Sequence, residues 1–158
     1  MNEFRVDGKV ALISGSARGL GAAMAETLIA SGAKVMVADI LDKEGKKTAA
    51  RLGANAGYVH LDVTQEADWE AAVAAVIKQF GGLDVVVNNA GIETTSLIEN
   101  CSLEDFNLTQ KVNVTGVFLG VKHAIRAMKP GGAAGRGGAI INLSSGAGLK
   151  GTLGLGAY

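Results

Sequence analysis

Five short apolar runs, separated by longer stretches of helical spacing, constrain this chain more than any other feature. The runs are Val10–Ser14, Lys34–Asp39, Gly57–Asp62, Leu83–Asn88 and Ala139–Ser144. The second of them, KVMVAD, is the unalternating pattern of a strand buried on both faces, as in a parallel sheet. Between the runs the period changes. Ala22–Ser31 puts Met24, Leu28 and Ile29 on one face, with Gly32 placed to end the helix. Asp42–Leu52 reads as a second helix, with Asp42 near its N-cap. Thr64 is expected to cap a third, where Glu66, Asp68 and Glu70 suit the positive end of the dipole and Trp69, Val73, Val76, Ile77 and Phe80 form an apolar stripe. Ser102 is expected to cap a long helix reaching about Met128, with Gly116 and Gly120 inside it. An interior glycine costs a helix about 1 kcal/mol relative to alanine, so a neighbouring element is expected to pack close there. Strands alternating with helices give an α/β fold with a Rossmann-like, doubly wound parallel sheet.

Residues 1–158 form one domain by length. Lysine plus arginine is 15 and aspartate plus glutamate is 15, so the net charge is zero. A general nucleic-acid binder needs a cationic excess to displace counterions, and a polybasic membrane anchor needs the same; neither is expected. The single Cys101 excludes an internal disulfide framework, and His60 and His123 match no metal-ligand spacing, so no metal is expected. The N-terminal MNEFRVDGK is too polar for a signal peptide, and Arg18, Glu26 and Lys34 interrupt the apolar stretch from Val10 to Ala38. A reducing, cytoplasmic compartment is the expectation. Of 23 glycines, ten lie between Gly131 and Tyr158. Residues 131–138 read as a flexible surface loop.

The turn after the first strand is Gly15-Ser-Ala-Arg18-Gly19-Leu20-Gly21. Glycines there let the backbone approach a pyrophosphate, and the following helix supplies free N–H groups and a positive dipole. A tight strand–helix turn would need glycine too, so the turn alone does not decide. Asp39 adds weight, because it ends the second strand eighteen residues after Gly21. A carboxylate there accepts hydrogen bonds from the adenosine ribose hydroxyls and repels a 2′-phosphate, favouring NAD over NADP. Arg18 pulls the other way, since it can pair with a phosphate. Asp62 and Val63 follow the third strand at the same rim, and ligands of open α/β sheets bind outside the carboxyl ends of the strands.

Three further motifs occur with that turn: Asn88-Asn89-Ala90-Gly91, Asn113 in the long helix, and Ile141-Asn142-Leu143-Ser144-Ser145. In this order and spacing the chain resembles the short-chain dehydrogenase/reductase family over essentially its whole length. Within the family it is similar to NAD-dependent members acting on steroids, on the strength of Val37-Ala-Asp-Ile-Leu-Asp42, His60-Leu-Asp-Val-Thr64 and Thr115-Gly-Val-Phe118. The resemblance implies hydride transfer between NAD(H) and a secondary alcohol or carbonyl substrate, steroid-like or alicyclic. It implies a cofactor site of Gly15, Arg18, Gly19, Leu20, Gly21, Asp39, Ile40, Asp62, Val63, Asn89, Ala90 and Gly91. It implies a homo-oligomer, tetramer or dimer, packed through the long helix. The family's catalytic Asn, Ser and Tyr match Asn113, Ser145 and Tyr158, the last two thirteen residues apart.

The family's Tyr-x-x-x-Lys pattern puts a lysine four residues beyond Tyr158, where this sequence has ended. In the family that lysine lowers the tyrosine pKa and binds the nicotinamide ribose, while the Asn holds a water in the proton relay. A free tyrosine titrates near 10, so only about one in a thousand is ionised at neutral pH, and the missing three units are worth roughly 4 kcal/mol. The family sheet also has seven strands against the five expected here. The expectation is therefore a chain that is part of a longer protein and at most weakly active alone, with a non-catalytic dinucleotide-binding or scaffold fragment as the alternative. Residues 146–158 would belong to a substrate loop, with Leu149, Leu153 and Leu155 lining the cleft.

Overall fold

A computed structural model describes residues 5–158. Residues 1–4, which belong to the polar N-terminal stretch, lie outside the described residues. All five strands form: β1 (Val10–Ser14), β2 (Lys34–Asp39), β3 (Ala56–His60), β4 (Val85–Asn88) and β5 (Ala139–Asn142). They pair in parallel in the order β3-β2-β1-β4-β5. The order reverses between β1 and β4, which opens a crevice at the carboxyl ends of these strands.

The helices are α1 (Gly19–Ala30), α2 (Asp42–Leu52), α3 (Glu66–Phe80), α4 (Leu103–Gln110) and α5 (Gly116–Met128). Side chains alternate across β1. Val10 and Leu12 join a core with Trp69, Ala72 and Val76 of α3 and Leu119, Ala124 and Met128 of α5. Ala11 and Ile13 join a second core with Ala25, Met24, Leu28 and Ile29 of α1 and Leu52 of α2. Leu12 and Ile13 are both 0% exposed, which is why the run could not alternate with polar residues. The stripe on α3 behaves as its spacing predicts: Trp69 and Val76 are buried, and Val73, Ile77 and Phe80 pack beside them.

Several boundaries differ from the sequence expectation, each for a local reason. α1 starts earlier, at Gly19, because the glycine turn runs straight into it. β3 ends at His60 rather than Asp62: the Leu61 N–H still reaches the Asp39 carbonyl (3.0 Å), but the Asp62 N–H turns to the Asp68 carboxylate (2.9 Å). Thr64 does not cap α3. Its hydroxyl donates to Asp62 (2.8 Å), and Gln65 takes the cap position without a side-chain bond. β4 is shorter than Leu83–Asn88, and β5 stops at Asn142 as the chain leaves the ladder.

Ser102 caps its helix as expected, accepting from the Asp105 N–H at 3.0 Å. That helix runs on to Met128, but Lys111–Thr115 is a π-helical turn between α4 and α5. Gly120 packs as the sequence implies: a Cβ there would collide with the Asn88 amide and lie 2.8 Å from the Trp69 ring. Asn88 Oδ1, aimed at this glycine, is buried and has no hydrogen-bond partner. Residues 131–138 are tied to the end of α5, with the N–H groups of Ala134 and Gly135 donating to the Ala127 carbonyl and that of Gly137 to Met128.

Candidate active site

Two cavities of about 390 Å³ each open side by side along the crevice. The first is bounded by Gly15 and Arg18 of the β1–α1 turn, Asp39, Ile40 and Leu41 after β2, and Leu61, Asp62 and Val63 after β3. The second is bounded by Leu20 of α1, Asn113 and Val117 of the long helix, Leu143, Ser144, Ser145 and Gly148 after β5, and Tyr158. Asn89, Ala90, Gly91 and Ile92, which follow β4, line both.

The wall between the cavities is built from backbone contacts that only glycine permits. Gly15 has φ +64°, and a Cβ on it would stand 2.7 Å from the Ala90 Cα. Gly21 has no strained φ, but its Cβ would lie 2.7 Å from both Asn89 Nδ2 and the Ser16 Cα. Asn89 Nδ2 donates to the carbonyls of Ser14 and Gly15, both at 2.9 Å, and so locks the β4 loop onto the glycine turn. Gly19, at φ +60°, has open space around it. The three predicted glycines therefore differ: Gly15 lines the first cavity, Gly21 allows the turn to close, and Gly19 supplies the left-handed backbone that starts α1. Arg18 occupies the N-cap with no side-chain bond, and the first turn of α1 carries no acidic residue. Its unpaired N–H groups lie where Arg18 lines one cavity and Leu20 the other.

Asp39 is 8% exposed. One oxygen accepts from the Ala17 N–H (2.9 Å) and the other from the Leu41 N–H (3.1 Å). Each oxygen keeps acceptor capacity beyond these single bonds. Asp39 thus shapes the turn as well as lining the cavity. Burial works against the Asp62 carboxylate, but donors from Thr64 and Gln65 and the charge of Lys111 outweigh it, and its pKa lies below the usual range.

Asn113 sits in the π-helical turn, a feature frequent at functional sites. Its Oδ1 accepts from the Ile92 N–H (2.9 Å) and its Nδ2 donates to the Ile92 carbonyl (2.8 Å). Ser145 accepts from the Ala147 N–H at 3.2 Å, and Tyr158 is 42% exposed. The three lie along one cavity, which Ser144 lines as well. Leu149 and Leu153 do not follow the sequence expectation: they are 95% and 87% exposed and line neither cavity. Leu155 instead bridges to Ser96.

Sequence reasoning missed residues that hold this geometry without lining either cavity. Ser14 Oγ accepts from the N–H groups of Asn89 and Ala90, both at 3.1 Å. Thr48 Oγ donates to the Ala17 carbonyl at 2.6 Å. The one available signal was a polar Ser14 closing an otherwise apolar strand. A third grouping, Glu66, Glu70 and His123, places ligand-type atoms within 4.8 Å of one another. Lys122 and Arg126 already supply positive charge to Glu66 there, alongside His123 at 3.1 Å.

The short chain dehydrogenase family model matches residues 9–158. The chain belongs to this family. It is 52% identical over 154 residues to the 3-alpha-(or 20-beta)-hydroxysteroid dehydrogenase of Mycobacterium tuberculosis, covering 98% of this chain and 58% of that protein. It is 47% identical over 163 residues to trans-4-hydroxycyclohexanecarboxylate dehydrogenase of Sinomonas cyclohexanicum, covering 98% of this chain and 61% of that one. Among solved structures it resembles a 3-ketoacyl-(acyl-carrier-protein) reductase from Brucella melitensis complexed with NADH, at 37% identity and a TM-score of 0.90, covering 96% of this chain and 63% of that one. This family member therefore spans about three fifths of the length of these relatives. Among the described residues no helix is long and apolar enough to cross a membrane.

Proposed function

We propose that the protein is an NAD(H)-dependent oxidoreductase acting on a secondary alcohol or its ketone, with an alicyclic or steroid-like skeleton. The observation that carries the reading is the shared wall. Asn89–Ile92 joins a cavity with a ribose-type carboxylate to a cavity with Asn113, Ser145 and Tyr158. The residues fit a dinucleotide: a glycine turn closed by Asn89, an uncapped helix N-terminus for the pyrophosphate, and a buried carboxylate with spare acceptor capacity. When bound, the cofactor supplies or takes the hydride.

The chain's own residues do the rest. Asp39 receives the adenosine ribose hydroxyls, and its charge disfavours the 2′-phosphate of NADP. Asp62 and Val63 border the adenine end. The Tyr158 hydroxyl gives or takes the proton on the substrate oxygen, and the Ser145 hydroxyl donates to that oxygen as charge develops. Asn113 fixes the Ile92 segment against the long helix and thereby the floor of the second cavity. The names of the mycobacterial and Sinomonas relatives support a cyclic secondary alcohol. Leu103, Val114, Phe118 and Ile125, all more than half exposed along α4–α5, support a homo-oligomer, tetramer or dimer.

The test is oxidation of cyclic secondary alcohols with NAD and NADP, by wild type and Asp39→Ala. Wild type is expected to prefer NAD, and the variant to lose that preference by weakening NAD selectively. Loosening of the turn would weaken both cofactors alike. An unchanged NAD/NADP ratio would sink the Asp39 assignment, and failure to bind either cofactor would overturn the dinucleotide reading.

A further inference from the structure

One cluster beside the crevice is unused by the chemistry above. His60, the last residue of β3, stands opposite Asp39 in the sheet register. Its Nδ1 is 2.7 Å from Asp42 Oδ1 at the start of α2, and its Nε2 is 3.7 Å from Asp68 Oδ2 on α3. Asp68 Oδ2 also accepts the Asp62 N–H at 2.9 Å. Tyr58 OH lies 2.6 Å from Asp42 Oδ1 and 2.8 Å from the Asp39 carbonyl, and its one hydrogen is shared between these two acceptors. A continuous strap therefore runs from the Asp39–Asp42 rim through His60 and Asp68 to the Asp62 rim. These two rims enclose the first cavity.

We propose that His60 is a positioning residue for the adenosine end of the cofactor site, and that its protonation sets the affinity for NAD(H). The proposal rests on the dinucleotide reading above and deepens it. A doubly protonated imidazole donates to Asp42 and carries a positive charge to Asp68 at the same time. A neutral imidazole that keeps its Nδ1 hydrogen for Asp42 turns a lone pair toward the Asp68 carboxylate. The strap then opens on the side that holds the Asp62 N–H. The charged groups acting on His60 are the carboxylates of Asp42 from α2, Asp68 from α3 and Asp62 from the loop after β3, while Lys46 of α2 is set over the Tyr58 ring at 5.9 Å. The hydrogen bond to Asp42 and these carboxylates hold the protonated form to a higher pH than an ordinary histidine, against a smaller opposing effect of burial.

The test is calorimetric titration of the protein with NADH between pH 6 and pH 9 (about the span bracketing an ordinary to raised histidine), for wild type, His60→Gln and Asp68→Asn. Wild-type affinity is expected to fall by about two- to five-fold as pH rises, with its midpoint above the usual histidine value, the size an exposed ion pair supports. His60→Gln should hold the weaker, high-pH affinity at every pH, and Asp68→Asn should flatten the profile while leaving the Asp42 bond in place. A flat wild-type profile, or a step that survives both substitutions, overturns the role of His60 while leaving cofactor binding standing. Absence of NADH binding at any pH overturns both.

Discussion

Gly21→Ala isolates the closure of the glycine turn from its conformation. Gly21 is already helical, so alanine brings no backbone strain and returns about 1 kcal/mol of helix propensity. Against that, the new Cβ would lie 2.7 Å from Asn89 Nδ2 and from the Ser16 Cα, and closer still to the Gly15 carbonyl. Two of these three neighbours are backbone, so the turn must move. Overpacking of this kind costs about 1–3 kcal/mol. The displaced Asn89 amide also loses bonds to Ser14 and Gly15, each worth about 1 kcal/mol. The net loss is about 2–4 kcal/mol, or roughly 4–16 °C in Tm for a domain of this size. Gly19→Ala meets no atom within 4 Å and carries only the left-handed strain at φ +60°, about 1–2 kcal/mol. Thermal unfolding of both variants by circular dichroism, with NADH titration alongside, checks the contrast. Gly21→Ala is expected to melt well below Gly19→Ala and to bind NADH more weakly. A Gly21→Ala protein that melts at or above Gly19→Ala would refute the closure argument.

Three further outcomes are expected. Gly120→Ala should lower Tm, by an overpacking cost of about 1–3 kcal/mol less about 1 kcal/mol of helix propensity returned, because its Cβ would meet Asn88 and the fully buried Trp69; a raised melt would mean α5 can slide away from β4 freely. Glu66→Gln should lower Tm at neutral pH, since bonds from Lys122 and His123 hold the Glu66 pKa below its ordinary 4.5. A depressed carboxylate contributes stability above its unfolded value and loses it as pH falls through the folded one, so the gap should close in acid; a constant gap would contradict this. Ser145→Ala should leave NADH affinity close to wild type and cut turnover of a cyclic ketone by about 10²-fold, and equal turnover would remove Ser145 from the chemistry.

The fold was legible because the interiors of β1 and β2 are buried on both faces, so Val10–Ile13 and Val35–Ala38 are apolar without interruption. The helix stripe around Trp69 and the cap at Ser102 were legible for similarly local reasons. What the sequence hid were contacts between distant segments. Nothing near Thr64 signals that Asp62 will take its hydroxyl and leave Gln65 at the cap. Asn113, in the π turn, bonds to Ile92, which lies 21 residues earlier. The glycine turn was recognisable as a tight strand–helix turn, but its division of labour was not, because Gly21 is required by Asn89, a residue of the loop after β4. Asp39 was expected to face a ribose; its bonds to the Ala17 and Leu41 N–H groups emerge only once β2 is set beside the turn. Leu149 and Leu153 show the opposite failure, since apolar character alone does not place a side chain in a cleft.

The most direct measurement is a crystal structure of the protein with NAD at saturation. The account predicts the adenosine ribose within hydrogen-bond distance of Asp39, the pyrophosphate over the Gly15–Gly21 turn, and the nicotinamide ring in the cavity of Asn113, Ser145 and Tyr158. A dinucleotide lying in the reverse sense, with its nicotinamide at Asp39, or a crevice that stays empty at saturating NAD, would contradict it.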